Sequence, residues 1–314
     1  MDISNVKLDW FEILNPYIRS LEDRMPGQDI RSRFTSLIQD LNENRTRSRV
    51  IYSSGKPVAY SFLIKPVYNH DRFFANIGFT SENHFSEARF SNLLSWLLDE
   101  ARSEGRYLAL DDPFNVANYA YEKMQKEGLE KSERMSMSLS LEKSPILDVP
   151  IPQEYSLIPI TGISTEQYSD LEFESFKGSP DAVLFSRLRD DRLAFSNSVF
   201  HDNMFGRVLE DASFLLKKGS SIAASILFTD SSEGRKGDIA LLASIFTTHE
   251  FRGSGLSSMV LAEGLKRLKE LGFRNVRLYT NVKNYSGINL YRKFSFAEND
   301  APREIFYHNI PEGI

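Results

Sequence analysis

Hydrophobic and polar positions follow the same order of periodicities twice along the chain. In the first half, two-residue alternation around Gly55 predicts a hairpin. A third strand follows, then a helix that stops at Gly105, a strand, a helix and a last strand. A hairpin that turns at Gly219 opens the same series in the second half, and each half begins with a helical stretch, near residues 10–45 and 165–205. The pattern predicts two α/β domains that share the element order β-β-β-α-β-α-β.

Short sequence matches support an internal duplication. "NIGFT" precedes the main helix of the first half as "SIFTT" precedes that of the second, and "NVANY" (115–119) corresponds to "NVKNY" (281–285). Residues 141–160 contain four Pro and are predicted to form an extended linker or edge segment. We therefore place the domains at 1–145 and 146–314. Two unrelated α/β domains are the alternative.

Composition narrows the possible chemistry. The 314 residues carry a net charge of -5 and no Cys, so a thiol nucleophile, a disulfide or a cysteine metal site is excluded. The acidic balance argues against a nucleic-acid partner, and the five His form no metal-binding pair. The N-terminal residues lack the pattern of a signal peptide, and no apolar run approaches the roughly 18 residues of a membrane span. We expect a cytoplasmic protein with no metal site and no membrane partner.

The stretch "TTHEFRGSGLSSMVLAEGLKRLKELGF" (247–273) predicts an anion site. Two glycines, Gly253 and Gly255, precede a long amphipathic helix, and we expect them to adopt positive φ angles and to let a ligand approach the backbone. The first amides of such a helix are unsatisfied and, with Arg252, could hold a pyrophosphate. No Lys follows the glycines, as a P-loop requires, and Ser258 stands at the third glycine position of a dinucleotide fingerprint.

Residues 210–310 resemble the GNAT acetyltransferase superfamily. Arg252, Gly255 and Ser257 fall on its signature [Q/R]-x-x-G-x-[G/A], and Asn284, Tyr291 and "KFSF" (293–296) follow at the family's spacing. The resemblance implies two tandem GNAT-like domains of the α/β (α+β) class, each a mixed, mostly antiparallel twisted sheet flanked by helices. The first half has no Gly between Gly78 and Gly105, and is therefore interpreted as a degenerate copy that no longer binds the cofactor.

The resemblance also implies an activity, which is acetyl transfer from acetyl-CoA to a primary amine by direct attack on the thioester. The long strand 238–247 would splay from its neighbour, and Asn284 and main-chain groups of the strand would hold the pantetheine arm. Tyr291 would protonate the departing thiolate, since a phenol can donate to a thiolate as charge develops. The implied cofactor-binding residues are Ile245, Phe246, Thr247, Arg252, Gly253, Ser254, Gly255, Leu256, Ser257 and Asn284.

The catalytic base is left open at this stage. His249 and Glu250 at the end of the long strand are candidates, as are Glu210, Asp211 and Asp238, and a water relay is a further possibility. An acidic run could face a cationic amine, but a solvated helix face is the favoured interpretation. That run comprises Glu166, Asp170, Glu172, Glu174 and Asp181.

Two other functions stay open beside the enzyme. One is a non-catalytic acyl-CoA-binding or regulatory module. The other is a tRNA-dependent aminoacyl transferase, which ranks last because it would lack the glycines and need a basic surface. We expect a small-molecule amine or a peptide as acceptor, and a monomer or a homodimer.

Overall fold

The computed structural model describes residues 9–24, 30–66, 68–231, 238–299 and 302–309. Its helices are α1 (Trp10–Arg24), α2 (Ile30–Asn42), α3 (Glu87–Ser103), α4 (Tyr119–Lys126), α5 (Thr165–Phe176), α6 (Arg189–Phe200), α7 (Leu256–Glu270) and α8 (Tyr285–Lys293). Its strands are β1 (Ser48–Ser53), β2 (Lys56–Ile64), β3 (Arg72–Phe79), β4 (Tyr107–Asp111), β5 (Leu129–Ser140), β6 (Tyr155–Pro159), β7 (Arg207–Val208), β8 (Phe214–Lys218), β9 (Ser221–Asp230), β10 (Ile239–Thr247), β11 (Asn275–Asn281), β12 (Ala297–Glu298) and β13 (Arg303–His308).

The chain divides into two compact units, which we call the N-terminal and C-terminal units. The N-terminal unit combines the described residues up to Ser132 with those from Arg303 onward, and the C-terminal unit holds Glu133–Pro302. This division differs from the boundary at 145/146 in two strands. Residues 134–140 of β5 pair with β11, and β13 pairs with β4. Hydrophobic alternation shows that a strand exists, but strand pairing depends on backbone hydrogen bonds that alternation does not specify.

The N-terminal unit has a mixed sheet. β1, β2 and β3 pair antiparallel in sequence, β4 lies parallel to β3, and β13 pairs antiparallel with β4. Helix α3 packs Phe90, Leu94 and Leu97 into the core of this unit, and α1 places Trp10 against Tyr60 of β2, with ring centroids 6.2 Å apart. Burial of these side chains is the main stabilising contribution.

The C-terminal unit has the strand order β6-β8-β9-β10-β11-β5. All of these pairs are antiparallel except β10 with β11. Helix α7 covers one face of the sheet and lies close to β9 at Gly264, where an added Cβ would stand 2.6 Å from the Phe228 ring. The predicted fold class of mostly antiparallel sheets flanked by helices is confirmed, and α1, α2, α5 and α6 occupy the two predicted helical stretches.

The described residues offer neither a membrane-spanning helix nor a cluster of metal-binding side chains. None of their helices has the length and apolar character needed to cross a membrane. The same residues contain no group of three or more His, Asp or Glu side chains that could hold a metal ion.

Candidate functional site

Strands β10 and β11 run apart within the C-terminal unit. They pair in parallel over Ile239–Leu241 and Asn275–Arg277. Beyond that, β10 stays paired with β9 and β11 with β5, so the facing edges of the two strands separate. The separation opens a cleft of about 750 Å³, a volume in the range of small-molecule sites. The predicted splay of the long strand is therefore confirmed.

A β-bulge lies in β10 beside this cleft. Leu242 pairs with Phe228 and Ser244 with Leu227, so Ala243 has no partner in the β9 ladder. A bulge bends its strand and redirects the side chains that follow. Buried and half-buried positions alternate without interruption through β10, so side-chain burial along the strand does not mark the bulge.

The predicted strand residues Ile245, Phe246 and Thr247 lie at the end of β10 and line the cleft. The Thr247 hydroxyl oxygen is 2.8 Å from that of Ser257, in the first turn of α7. This contact brings two of the predicted cofactor-binding residues together. Phe246 packs its ring 5.7 Å from that of Tyr168 on α5.

The glycine loop has the predicted backbone conformation. Gly253 and Gly255 have φ angles of 79° and 75°, which most side chains disfavour, so the expectation of positive φ is confirmed. Gly255 is the N-cap of α7, and no side chain caps this helix. An added Cβ at either glycine would meet no atom within 4 Å, so the loop has space for a ligand. The exposed Ser254 is not among the residues that line the cleft.

In the N-terminal unit, contacts within the protein occupy the corresponding helix start, which is the start of α3. The Ser86 hydroxyl caps α3 by accepting from the amide of Arg89, and the Arg89 side chain donates to the His84 carbonyl. The backbone of Phe114 occupies the position next to β3: Phe79 N–H donates to its carbonyl at 3.1 Å, and its own N–H donates to Ile77 at 2.9 Å. These contacts use groups that a ligand would need, which supports the interpretation of a degenerate copy.

Arg252 joins the glycine loop to α5. Its Nη2 donates to the carbonyl of Ser175 at 2.5 Å, near the C-terminal end of that helix. Among the described residues this is the single hydrogen bond of the guanidinium, so its other N–H groups stay available to an anion. The prediction that Arg252 binds phosphate is compatible with this position.

Hydrogen bonds within the protein use both the oxygen and the nitrogen of the Asn284 side chain. As the N-cap of α8, its Oδ1 accepts from Gly287 N–H at 3.0 Å. Its Nδ2 donates to Asp181 Oδ2 at 2.6 Å and to the Thr280 hydroxyl at 3.3 Å. A contact of this amide with pantetheine would have to replace one of these bonds, and its cofactor role stays a prediction.

Asp181 was not predicted as a site residue. It lies in the short 3-10 turn Pro180–Leu184, and its carboxylate accepts from the backbone amide of Asn281 at 2.7 Å and from the side chains of Thr280 and Asn284. It lines the cleft and fixes the α5–α6 connection to the junction of β11 and α8. The sequence showed an acidic residue here, but not the polar partners that turn it inward.

Tyr291 lies on α8 and lines the cleft, with 7% of its surface exposed. Burial raises the pKa of its phenol well above the ordinary value, and the nearby Asp181 carboxylate raises that pKa further, while Arg134 opposes the change. The phenol is therefore protonated at neutral pH. It has the protonation state that a proton donor needs.

Glu172 is a second acid that lines the cleft, and for this member of the acidic run the favoured interpretation of a solvated helix face is wrong. It lies on α5 and lines the cleft, and burial of its carboxyl group raises its pKa to about 7. The nearby hydroxyls of Ser244 and Tyr168 favour the charged form and limit this rise. Within the described residues Glu172 forms no ion pair. By contrast, the exposed Glu166 and the half-buried Asp170 both form ion pairs with Arg189, in agreement with a solvated helix face at these two positions.

The base candidates drawn from the sequence lie elsewhere. His249, Glu250, Glu210 and Asp211 are exposed, and Asp238 is half-buried near the start of β10. None of the five lines the cleft.

Comparison with known proteins identifies the C-terminal segment. Residues 170–296 match the model of the acetyltransferase (GNAT) family. These residues form a GNAT domain. The matched residues include strands β10 and β11, the glycine loop, Glu172 and Tyr291.

Individual relatives agree with this assignment. A mycothiol acetyltransferase of Pseudarthrobacter chlorophenolicus is 36% identical over 64 residues, which are 20% of this chain and 19% of that protein. The chain thus aligns with about a fifth of that curated relative.

Solved structures show the same fold over nearly the whole chain. A GCN5-related N-acetyltransferase from Sphaerobacter thermophilus covers 99% of this chain and 95% of its own, with a TM-score of 0.63 and 13% identity. A tandem GNAT protein from the clavulanic acid biosynthesis pathway covers 95% and 94%, with a TM-score of 0.57 and 14% identity. At these identities the likeness concerns the fold, and it supports a tandem arrangement.

Proposed function

We propose that this chain is an N-acetyltransferase that moves the acetyl group of acetyl-CoA to a primary amine. The proposal is based on two features that face the same cleft. The first is the start of α7, which no side chain caps and which two glycines with open space precede, and the second is the separation of strands β10 and β11. The first provides donors for phosphate oxygens, and the second provides backbone edges for an extended amide-containing chain.

The residues of the cleft fit the cofactor. Gly253, Gly255 and the first turn of α7 would hold the pyrophosphate together with Arg252, since helix amides, the helix dipole and a guanidinium all favour an anion. The unpaired edge of β10 at Ile245–Thr247 would hold the pantetheine amides. Bound acetyl-CoA would supply the acetyl thioester.

Tyr291 would act as the general acid. Its raised pKa keeps the proton on the phenol until negative charge develops on a nearby sulfur. An amide N–H of the β10 edge would polarise the acetyl carbonyl as a single-donor oxyanion site.

The acceptor is proposed as a small-molecule amine or a peptide. The curated relative is a mycothiol acetyltransferase. Its alignment covers about a fifth of either protein, so it does not identify the acceptor of this chain. A cytoplasmic location, the lack of a nucleic-acid partner and a monomeric or homodimeric state stay predictions.

Calorimetric titration of CoA and acetyl-CoA tests the proposal. We expect one site in the intact chain and loss of binding in Gly255→Trp, whose side chain would block the loop. Gly272→Trp is a matched control, because Gly272 follows the other end of α7, has a φ of 86° and also has no atom near an added Cβ. No binding of either ligand at millimolar concentration would refute the proposal. Binding without acetylation of any amine in a broad panel would favour the non-catalytic acyl-CoA-binding module.

A further inference from the structure

A small cavity adjoins the cleft at Glu172. The cavity has a volume of about 20 Å³, which is enough for one water molecule or a group of similar size. It shares five lining residues with the cleft, namely Glu172, Phe195, Phe205, Ala243 and Ser244. Glu172 therefore lies where the two spaces meet, beside the bulge of β10.

The polar atoms around this cavity have unused hydrogen-bonding capacity. The hydroxyls of Tyr168 and Ser244 are buried, with 2% and 7% residue exposure, and make no hydrogen bond of ordinary length and angle within the described residues. Both residues line the cavity. Unpaired buried hydroxyls are costly, so a bound polar group that pairs with them is favoured.

The surroundings of Glu172 suit a cationic ligand. Phe195 and Phe205 form an edge-to-face pair with centroids 5.9 Å apart, and aromatic faces attract ammonium groups. Of the titratable groups on the elements packed here, Tyr168 is the one that acts on the Glu172 pKa. Arg192 of α6 instead stacks on the Phe173 ring at 3.6 Å, and Asp191 accepts from the Ser186 hydroxyl at 2.7 Å.

The other carboxylate of the cleft is less suited to accept a proton. Both oxygens of Asp181 already accept hydrogen bonds, from Asn281, Thr280 and Asn284. These bonds hold Asp181 in a structural position. Glu172 has no ion pair among the described residues, and the two side chains that favour its charged form are the hydroxyls of Tyr168 and Ser244.

We propose that Glu172 is the catalytic base, which binds the ammonium group of the acceptor at the mouth of the small cavity and removes its proton. This inference rests on the proposed N-acetyltransferase function. The hydroxyl oxygens of Tyr168 and Ser244 accept the remaining N–H groups.

The proton balance of the reaction follows directly. The ammonium gives one proton to the Glu172 carboxylate, and the amine nitrogen then forms a C–N bond to the acetyl carbon as the C–S bond breaks. The sulfur takes the Tyr291 proton, and the second proton lost by the nitrogen replaces it. Glu172 finally releases its proton to solvent, so each turnover yields an amide, a thiol and one proton.

The pH dependence of acetylation tests this assignment. The probes are acetyl-CoA with 2-phenylethylamine, tyramine and putrescine, and release of the CoA thiol is measured. In the wild type we expect kcat/KM to fall below about pH 7, as Glu172 becomes protonated. In Glu172→Gln we expect a loss of about 10²–10⁴-fold at pH 7, the usual contribution of a general base. The limb near pH 7 should disappear, and calorimetric binding of acetyl-CoA should be unchanged.

Glu174→Gln is the matched control. Glu174 is an exposed residue on the same helix, 3.9 Å from Lys177, and it does not line the cleft. We expect the activity and pH profile of the wild type.

The possible failures are distinguishable. If Glu172→Gln acetylates these amines with the wild-type rate and pH profile, Glu172 is not the base and the proposed function stands. If the wild type binds no CoA, or binds it and acetylates no amine, the proposed function and this inference fail together.

Discussion

The hydroxyl oxygens of Thr247 and Ser257 lie 2.8 Å apart and join the end of β10 to the first turn of α7. The strand edge proposed to hold pantetheine and the helix start proposed to hold pyrophosphate are thereby fixed relative to each other. We therefore assign Thr247 and Ser257 a positioning role between the strand and the helix.

Thr247→Val should weaken acetyl-CoA binding without changing the chemical step. Loss of one neutral hydrogen bond costs roughly 1 kcal/mol, so we expect KM for acetyl-CoA to rise about fivefold with kcat nearly unchanged. Steady-state kinetics measure this split, and Thr165→Val, which removes a surface hydroxyl near His201, serves as the control. A fall in kcat with KM unchanged would contradict the positioning role.

Tyr291→Phe should lower kcat by about 10²-fold or more, because the phenol is the proposed donor to the thiolate. Calorimetric binding of acetyl-CoA should persist. Tyr285→Phe is the control, since Tyr285 lies on the same helix with 71% of its surface exposed and outside the cleft lining. A Tyr291→Phe enzyme that keeps its kcat would remove Tyr291 from the mechanism.

The desolvated carboxyl of the half-buried Glu172 should make folding stability depend on pH. Its pKa is about 7 in the folded chain against an ordinary value of 4.5, so the folded state binds the extra proton between these values. The free energy of unfolding should therefore fall as pH rises from about 4.5 to 7, by roughly 3 kcal/mol relative to Glu172→Gln. Urea titrations of both proteins at pH 4, 6 and 8 measure this difference. A difference that stays constant with pH would show that the carboxyl is not desolvated.

The tandem chain should bind one CoA. In the N-terminal unit the Ser86 hydroxyl already takes the Arg89 amide at the start of α3, and the backbone of Phe114 pairs with the edge of β3 that a ligand would need. Calorimetry should give one ligand per chain and no residual site in Gly255→Trp. Two ligands per chain would disprove the assignment of a degenerate copy.

Gly264→Ala should destabilise the chain. An added Cβ would stand 2.6 Å from the Phe228 ring and 3.1 Å from the Ala212 carbonyl, so α7 would have to move from β9. We expect a loss of about 1–3 kcal/mol in the free energy of unfolding, as for other overpacked cores. Lys266→Ala, at an exposed position of the same helix, should change it little. Equal effects of the two variants would argue against close packing at Gly264.

The sequence by itself determined the repeated element order, the glycine loop and the general class of chemistry. Periodicity and glycine positions reflect the local conformation of the backbone, and Gly253 and Gly255 permit the positive φ angles that the loop adopts. The sequence also showed the family's spacing between Arg252 and Tyr291, because both residues lie in one continuous segment.

Tertiary structure alone decided which acids face the cleft and which strands pair. Glu172 and Glu174 are two residues apart in one acidic run, yet one adjoins Ser244 and the other is exposed, because helix packing selects the buried face. The same reason explains why residues 134–140 of β5 belong to the C-terminal unit and β13 to the N-terminal unit, opposite to the predicted halves. Partners in a sheet and in a pocket are set by contacts between distant segments, which no local pattern encodes.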